Sequence, residues 1–155
     1  MRCPMRRGKL LLFLGFSLAL LLTAGPAKAQ NCSISTTSVP FGPYDAYGTF
    51  VDTTGTVHIA CFFATNVTVD LNNGNANNFG PRFMLNAGGD HLNYNLYLDA
   101  ARATIWGDNT GGSSHASVGT VFFRNVDLTI YGRIPGGQDV IAGSYNDLIT
   151  ATINF

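Results

Sequence analysis

Apolar and polar side chains alternate with a period of two along most of this chain, and no stretch shows a helical period. The clearest case is 91–99, where Leu92, Tyr94, Leu96 and Leu98 fall on one side and His91, Asn93, Asn95, Tyr97 and Asp99 on the other. That is the signature of a strand with one buried face, and its strength predicts a central place in a sheet. Residues 56–63 put Val57, Ile59, Cys61 and Phe63 inward, 66–71 do the same with Val67, Val69 and Leu71, and 81–86 reads as a further short strand. In 121–134 the phase slips: Val121 and Phe123 agree with each other, and Val126, Leu128 and Ile130 only among themselves, which predicts a β-bulge near Arg124 and Asn125. Finally, 145–155 places Tyr145, Asp147, Ile149, Ala151, Ile153 and Phe155 on one face against Leu148, Thr150, Thr152 and Asn154. A half-buried strand closing the sequence is either a protected edge or a place where another polypeptide adds a strand.

Composition agrees with strands. Glu is absent and both lysines precede residue 30, so two good helix formers are missing from the rest, which is rich in Thr, Asn, Gly, Val, Phe and Tyr. Six or seven short strands separated by turn signals describe an all-β, immunoglobulin-like β-sandwich. Pro40, Gly42 and Pro43 interrupt the first strand region, as at a corner where a strand changes sheets. The 155 residues suffice for one domain with a substantial core.

The first 29 residues read as a leader. Arg2, Arg6, Arg7 and Lys9 precede an apolar run at 10–22, and Ala27-Lys28-Ala29 offers a small-residue cleavage site before Gln30. The apolar run is too short to span a bilayer comfortably, so residues 30–155 are expected to be exported as a domain not inserted in the membrane. Losing the leader leaves four arginines against nine aspartates, a net charge of −5. Nucleic acid is a poor partner for such a surface, which lacks the basic patch that would displace phosphate counterions.

Cys3 leaves with the leader. Cys32 and Cys61 remain and are read as one disulfide in an oxidising compartment, which makes the first strand a neighbour of the strand carrying Cys61. Closing that loop stabilises the fold by about 3–4 kcal/mol in the chain-entropy model.

No catalytic constellation is legible. His58, His91 and His115 are scattered, and no GxSxG nucleophile motif occurs. Asp108-Asn109-Thr110 offers oxygen ligands of the kind calcium takes, but Asp and Asn in turns commonly bond their own backbone. Trp106 suits a core or loop anchor better than a sugar platform. These readings predict a protein without enzymatic activity, metal or cofactor.

Several pieces in order resemble the spore coat protein U domain. They are Cys32, Val39-Pro40-Phe41-Gly42-Pro43-Tyr44-Asp45, residues 55–61, Leu92-Asn93-Tyr94-Asn95-Leu96-Tyr97-Leu98-Asp99, Trp106-Gly107-Asp108, Tyr131-Gly132-Arg133-Ile134-Pro135 and Gly143-Ser144-Tyr145-Asn146-Asp147. That family is shared by a bacterial spore coat protein and by subunits of archaic chaperone-usher pili, adhesive fibres used in biofilm formation. The resemblance implies a secreted structural subunit of a surface fibre or a spore coat, with a pilin-type sandwich that lacks its final strand. It also implies as partners a periplasmic chaperone that lends a strand, an outer-membrane usher and neighbouring subunits, and passage through the periplasm to the cell surface. Ile149, Ala151, Ile153 and Phe155 would then border the acceptor groove. Cleavage before Gln30 leaves two residues ahead of Cys32, too few to serve as a donor strand, so the chain is expected to accept a strand and not to provide one from its N-terminus. The alternative is a self-contained secreted coat or carbohydrate-binding sandwich that does not polymerise, which would display a surface cluster of Trp and Tyr.

Overall fold

In the computed structural model, which describes residues 31–155, every regular element is a strand. The expected leader and its cleavage site before Gln30 lie outside the described residues. The strands are β1 (Asn31–Thr36), β2 (Phe50–Leu71), β3 (Arg82–Leu85), β4 (His91–Tyr97), β5 (Ala116–Pro135) and β6 (Ala151–Asn154). All pair antiparallel in the order β1-β2-β5-β4-β3, and β6 joins β2. β1 covers β2 from Val57 to Phe63 and β6 covers it from Thr68 to Leu71, so the two lie end to end along one edge of β2. The sheet curls into a half-barrel, the form that the expected β-sandwich takes here.

Its spine is the β2–β5 ladder, which runs from Phe50↔Pro135 to Val69↔Ala116. The segments 56–63 and 66–71, read above as two strands, are parts of β2, which continues through Ala64, Thr65 and Asn66 with a shift of register against β5. Residues 116–120, ahead of the strand read from 121, also belong to β5, because β2 continues far enough to pair Ala116, Ser117 and Gly119.

The phase slip expected in β5 is real, but it is not a one-strand bulge at Arg124 and Asn125. Those residues pair in unbroken register with Cys61 and Ala60. Both strands change phase together instead. The buried set of β2 passes from Val57, Ile59 and Cys61 to Ala64, Val67 and Val69, while that of β5 passes from Val121 to Ile130 and Ile134. Phe123, at φ 44°, marks the turn in β5, an uncommon conformation for an aromatic residue. A matched change on both strands folds the ladder over without losing register, which is how strands round the corner between layers. Shifts of register occur beyond the corner, between Ala64 and Thr68. The folding-over is visible in a small cleft lined by both His115–Ser117 and Asp127–Thr129. Ser117 and Asp127 would lie roughly 30 Å apart on a straight strand.

The core fills the concave side with Val57, Ile59, Val67, Val69, Leu71, Leu92, Leu96, Trp106, Val121 and Ile134. β4 is internal, between β5 and β3, as its alternation predicts. Its polar face is not wholly solvated, however: Asn95 is buried because the fully buried Arg82 guanidinium donates to its Oδ1 at 2.7 Å. Arg82 also donates to the carbonyls of Asn72 and Trp106, and Asn95 Nδ2 donates to the carbonyl of Phe79. Burial of the guanidinium pulls its pKa down to about 10.

Candidate functional site

Two extended stretches leave the sheet and face each other across its concave side. The first follows β1. Thr37 still donates to the carbonyl of Thr56 at 2.9 Å, after which residues 38–46 cross over the sheet without joining a ladder. Two glycines give them room. A Cβ on Gly55 would stand 2.7 Å from Val39 Cγ2, and one on Gly132 would stand 2.8 Å from Phe41 Cζ and 2.9 Å from Val39 Cγ1. Pro40 and Pro43 have no N–H to satisfy, and Gly42 takes φ 74°, so the stretch tolerates leaving β2. Phe41 meets Tyr94 edge-on at 5.7 Å, and the Tyr44 hydroxyl accepts from Gln138 N at 2.8 Å. This is the corner expected at Pro40–Pro43.

The second stretch is 140–150. Its backbone attaches through Asn146, which exchanges two hydrogen bonds with Leu85 at 2.9 and 3.0 Å, and through Thr150, which pairs with Asn72. Asp147 anchors the middle by accepting from the Tyr94 hydroxyl at 2.7 Å and from Asn75 N at 2.9 Å. Gly74, at φ 61°, makes the approach possible, because a Cβ there would run into the Asp147 carboxylate. Burial and the bond to Asp147 push the Tyr94 hydroxyl above its ordinary pKa of 10.0, so it remains a neutral donor.

Between the stretches lies an open groove of about 920 Å³. Leu71, Leu92, Leu96, Ile130 and Ile134 form its apolar floor, with Val39 and Phe41 on one wall and Val140 and Ile149 on the other. Most of 140–149 contributes no ladder bonds, so the groove is apolar at its base and bordered by backbone groups available to a further strand.

The four residues predicted to border an acceptor groove are divided. Ile149 and Ala151 line it. Ile153 instead stands opposite Val69 within β6 and packs on the core, and Phe155 lies beyond the strand, about half exposed and away from the groove. The strand expected over 145–155 is regular only in β6, because the backbone before Ala151 borders the groove and finds a bridge at Asn146 alone. Sequence reading missed Tyr94, Ile130, Ile134, Val39 and Phe41 as groove residues. The alternation around Tyr94 and Ile130 was legible, but not that these residues would meet 140–149.

Cys32 and Cys61 are bonded and directly opposed in the β1–β2 register, with Cα atoms 4.1 Å apart. The histidines have separate partners: His58 pairs with Asp127, His91 stacks on Phe83 at 4.0 Å, and His115 Nδ1 lies 3.5 Å from Asp70. Asp108 accepts from the backbone and hydroxyl of Thr110, the self-bonding turn weighed against a calcium loop, and these bonds hold its carboxyl below its ordinary pKa. Trp106 is fully buried and donates to the Val69 carbonyl at 2.9 Å, as a core anchor.

Three comparisons bear on this architecture. Residues 18–152 match the Spore Coat Protein U domain. "Protein U" of Myxococcus xanthus is 34% identical over 128 residues, covering 74% of this chain and 70% of that protein. Among solved structures, the complex of CsuC with CsuE, a chaperone–tip adhesion subunit pre-assembly complex from archaic chaperone-usher Csu pili of Acinetobacter baumannii, superposes with TM-score 0.60 at 23% identity. The match covers 81% of this chain and 40% of the solved one, and it bears on the fold alone. The half-barrel, the Cys32–Cys61 bond and the match across most of the sequence agree: the chain belongs to the spore coat protein U domain family.

Proposed function

We propose that the chain is a non-enzymatic, exported structural subunit of a surface fibre or coat, which accepts a β-strand from a partner in the groove between residues 38–46 and 140–150. One observation carries the reading: an apolar floor bordered on both sides by extended backbone that enters no ladder. A strand laid there gains main-chain hydrogen bonds from either wall, and its alternate side chains enter the floor. Left bare, the same surface invites aggregation. The partners are a periplasmic chaperone during export, an usher at the outer membrane and neighbouring subunits at the cell surface, in an assembly that serves adhesion or biofilm formation. No cofactor takes part.

The test is thermal unfolding of the exported, oxidised chain alone, with its chaperone, and with synthetic peptides of alternating apolar sequence. A large rise in Tm with the chaperone or a peptide, abolished by Ile149→Asp, is the expected result. A chain that unfolds cooperatively alone and ignores every strand would overturn the reading and favour a self-contained coat or carbohydrate-binding protein.

A further inference from the structure

The corner of the β2–β5 ladder carries the largest exposed aromatic cluster of the described residues. Phe62, Phe122 and Phe123 are each 60% exposed. They touch one another, Phe62 on Phe123 at 4.1 Å and Phe122 on Phe123 at 4.5 Å, and Phe63 joins through Phe122 at 6.1 Å. The core does not use these rings, because both strands change phase here and turn them outward. The cluster is separate from the groove, whose lining contains none of the four.

Charge and chain path distinguish this pole from the rest of the molecule. The sequence has no acidic residue between Asp52 and Asp70 or between Asp108 and Asp127, so the corner lacks the carboxylates found elsewhere, and exposed Arg124 stands beside the rings. Asn31, the first described residue, pairs with Phe63 at the same corner. Going back along the sequence, the apolar run 10–22 ends nine residues before Asn31. Those nine steps reach at most about 30 Å.

We infer that the aromatic corner is a membrane-facing foot, which inserts its Phe rings into the interface of a phospholipid bilayer. Until the expected cleavage before Gln30, so short a connection would keep this pole of the domain near the membrane into which the leader is delivered. The exposed rings then meet acyl chains and Arg124 meets lipid phosphate. A second copy of the chain is a poorer occupant. Three rings exposed to this extent offer roughly 300–400 Å² of apolar surface, well short of the ~800 Å² per partner of a stable protein interface. A bilayer needs no shape complementarity and accepts a small wedge.

Phe122→Trp places a reporter in the cluster, read against the buried Trp106 as a difference spectrum. Mixed with vesicles of phosphatidylcholine and phosphatidylglycerol, the exported chain should show a blue shift of the new indole emission. The double variant Phe62→Ser/Phe122→Ser should keep its disulfide and Tm and lower the vesicle partition coefficient by about tenfold or more. Ile149→Asp in the groove should leave partitioning unchanged. Flotation without an indole shift would place the attachment elsewhere in the chain and overturn the inference. So would a blue shift that appears without lipid and grows with protein concentration, since the cluster would then be a contact between copies.

Discussion

Arg82 shows how much of this fold rests on single side chains that alternation does not report. Its guanidinium is fully buried, yet none of its hydrogen-bond acceptors is a carboxylate: it donates to the carbonyls of Asn72 and Trp106 and to Asn95 Oδ1, and lies over the Phe79 ring. One cation thus fixes the Asn72 loop, the Trp106 loop and β4 to each other. Arg82→Met removes every donor and strands two buried acceptors, Asn95 Oδ1 and the Trp106 carbonyl, so it should destabilise the chain by about 3–5 kcal/mol in urea titration. Arg82→Lys should recover less than half of that, because an ammonium cannot fork. Asp52 is a simpler case at the surface. The Arg133 guanidinium bonded to it, with Arg102 nearby, holds its carboxyl below the usual 3.8. A depressed folded value means that the stabilisation is present above the unfolded-state pKa and is lost as pH falls through the folded one. Asp52→Asn should therefore flatten the dependence of Tm on pH below about pH 4. Nothing in the sequence marked the partners of Arg82 and Arg133, which only the tertiary fold brings to them.

At the scale of elements, the existence and type of strands were legible, and their ends were not. The alternation of Leu92, Tyr94 and Leu96 predicted a central strand, and β4 is one. The segments 56–63 and 66–71 were read as two strands, although their inward positions share one phase and β2 runs through both. At the corner, the matched change of phase on β2 and β5 lets the ladder continue. Half of such a pair is visible in any one strand, and the match between them is not. The disulfide was legible because only two cysteines follow residue 29, and its place in register follows from the β1–β2 pairing. Cys32→Ala/Cys61→Ala should lower stability by about 3–4 kcal/mol, a loss readable as a fall in the urea midpoint. The groove was legible only in part, since Ile149 and Ala151 line it while Ile153 serves the core. Gly132 belongs to the unforeseen remainder: Val39 and Phe41 lie directly over it. Gly132→Val should push residues 38–41 outward, costing about 1–3 kcal/mol and weakening strand acceptance measured by the peptide-induced rise in Tm.

At the scale of the whole molecule, β1 and β6 share one edge of β2, and both ends of the described chain come to the corner side of the fold. Asn31 pairs with Phe63, and Asn154 pairs with Thr68. The groove lies on the concave side of the sheet, between stretches that continue from Thr36 and lead into Ala151. In the proposed fibre or coat the chain would be a mechanical part, and this layout defines a load path. Tension applied at Asn31 meets the Cys32–Cys61 bond after a single residue and passes into β2. That strand is hydrogen-bonded to β5 over most of its 22 residues, so the pull is taken in shear across many bonds at once. Peeling β1 away strand-end first, the weaker mode of failure, is closed off by the covalent link at its beginning. The disulfide is therefore a tensile fitting as well as a thermodynamic staple, and its reduction should cost more in unfolding force than in melting temperature.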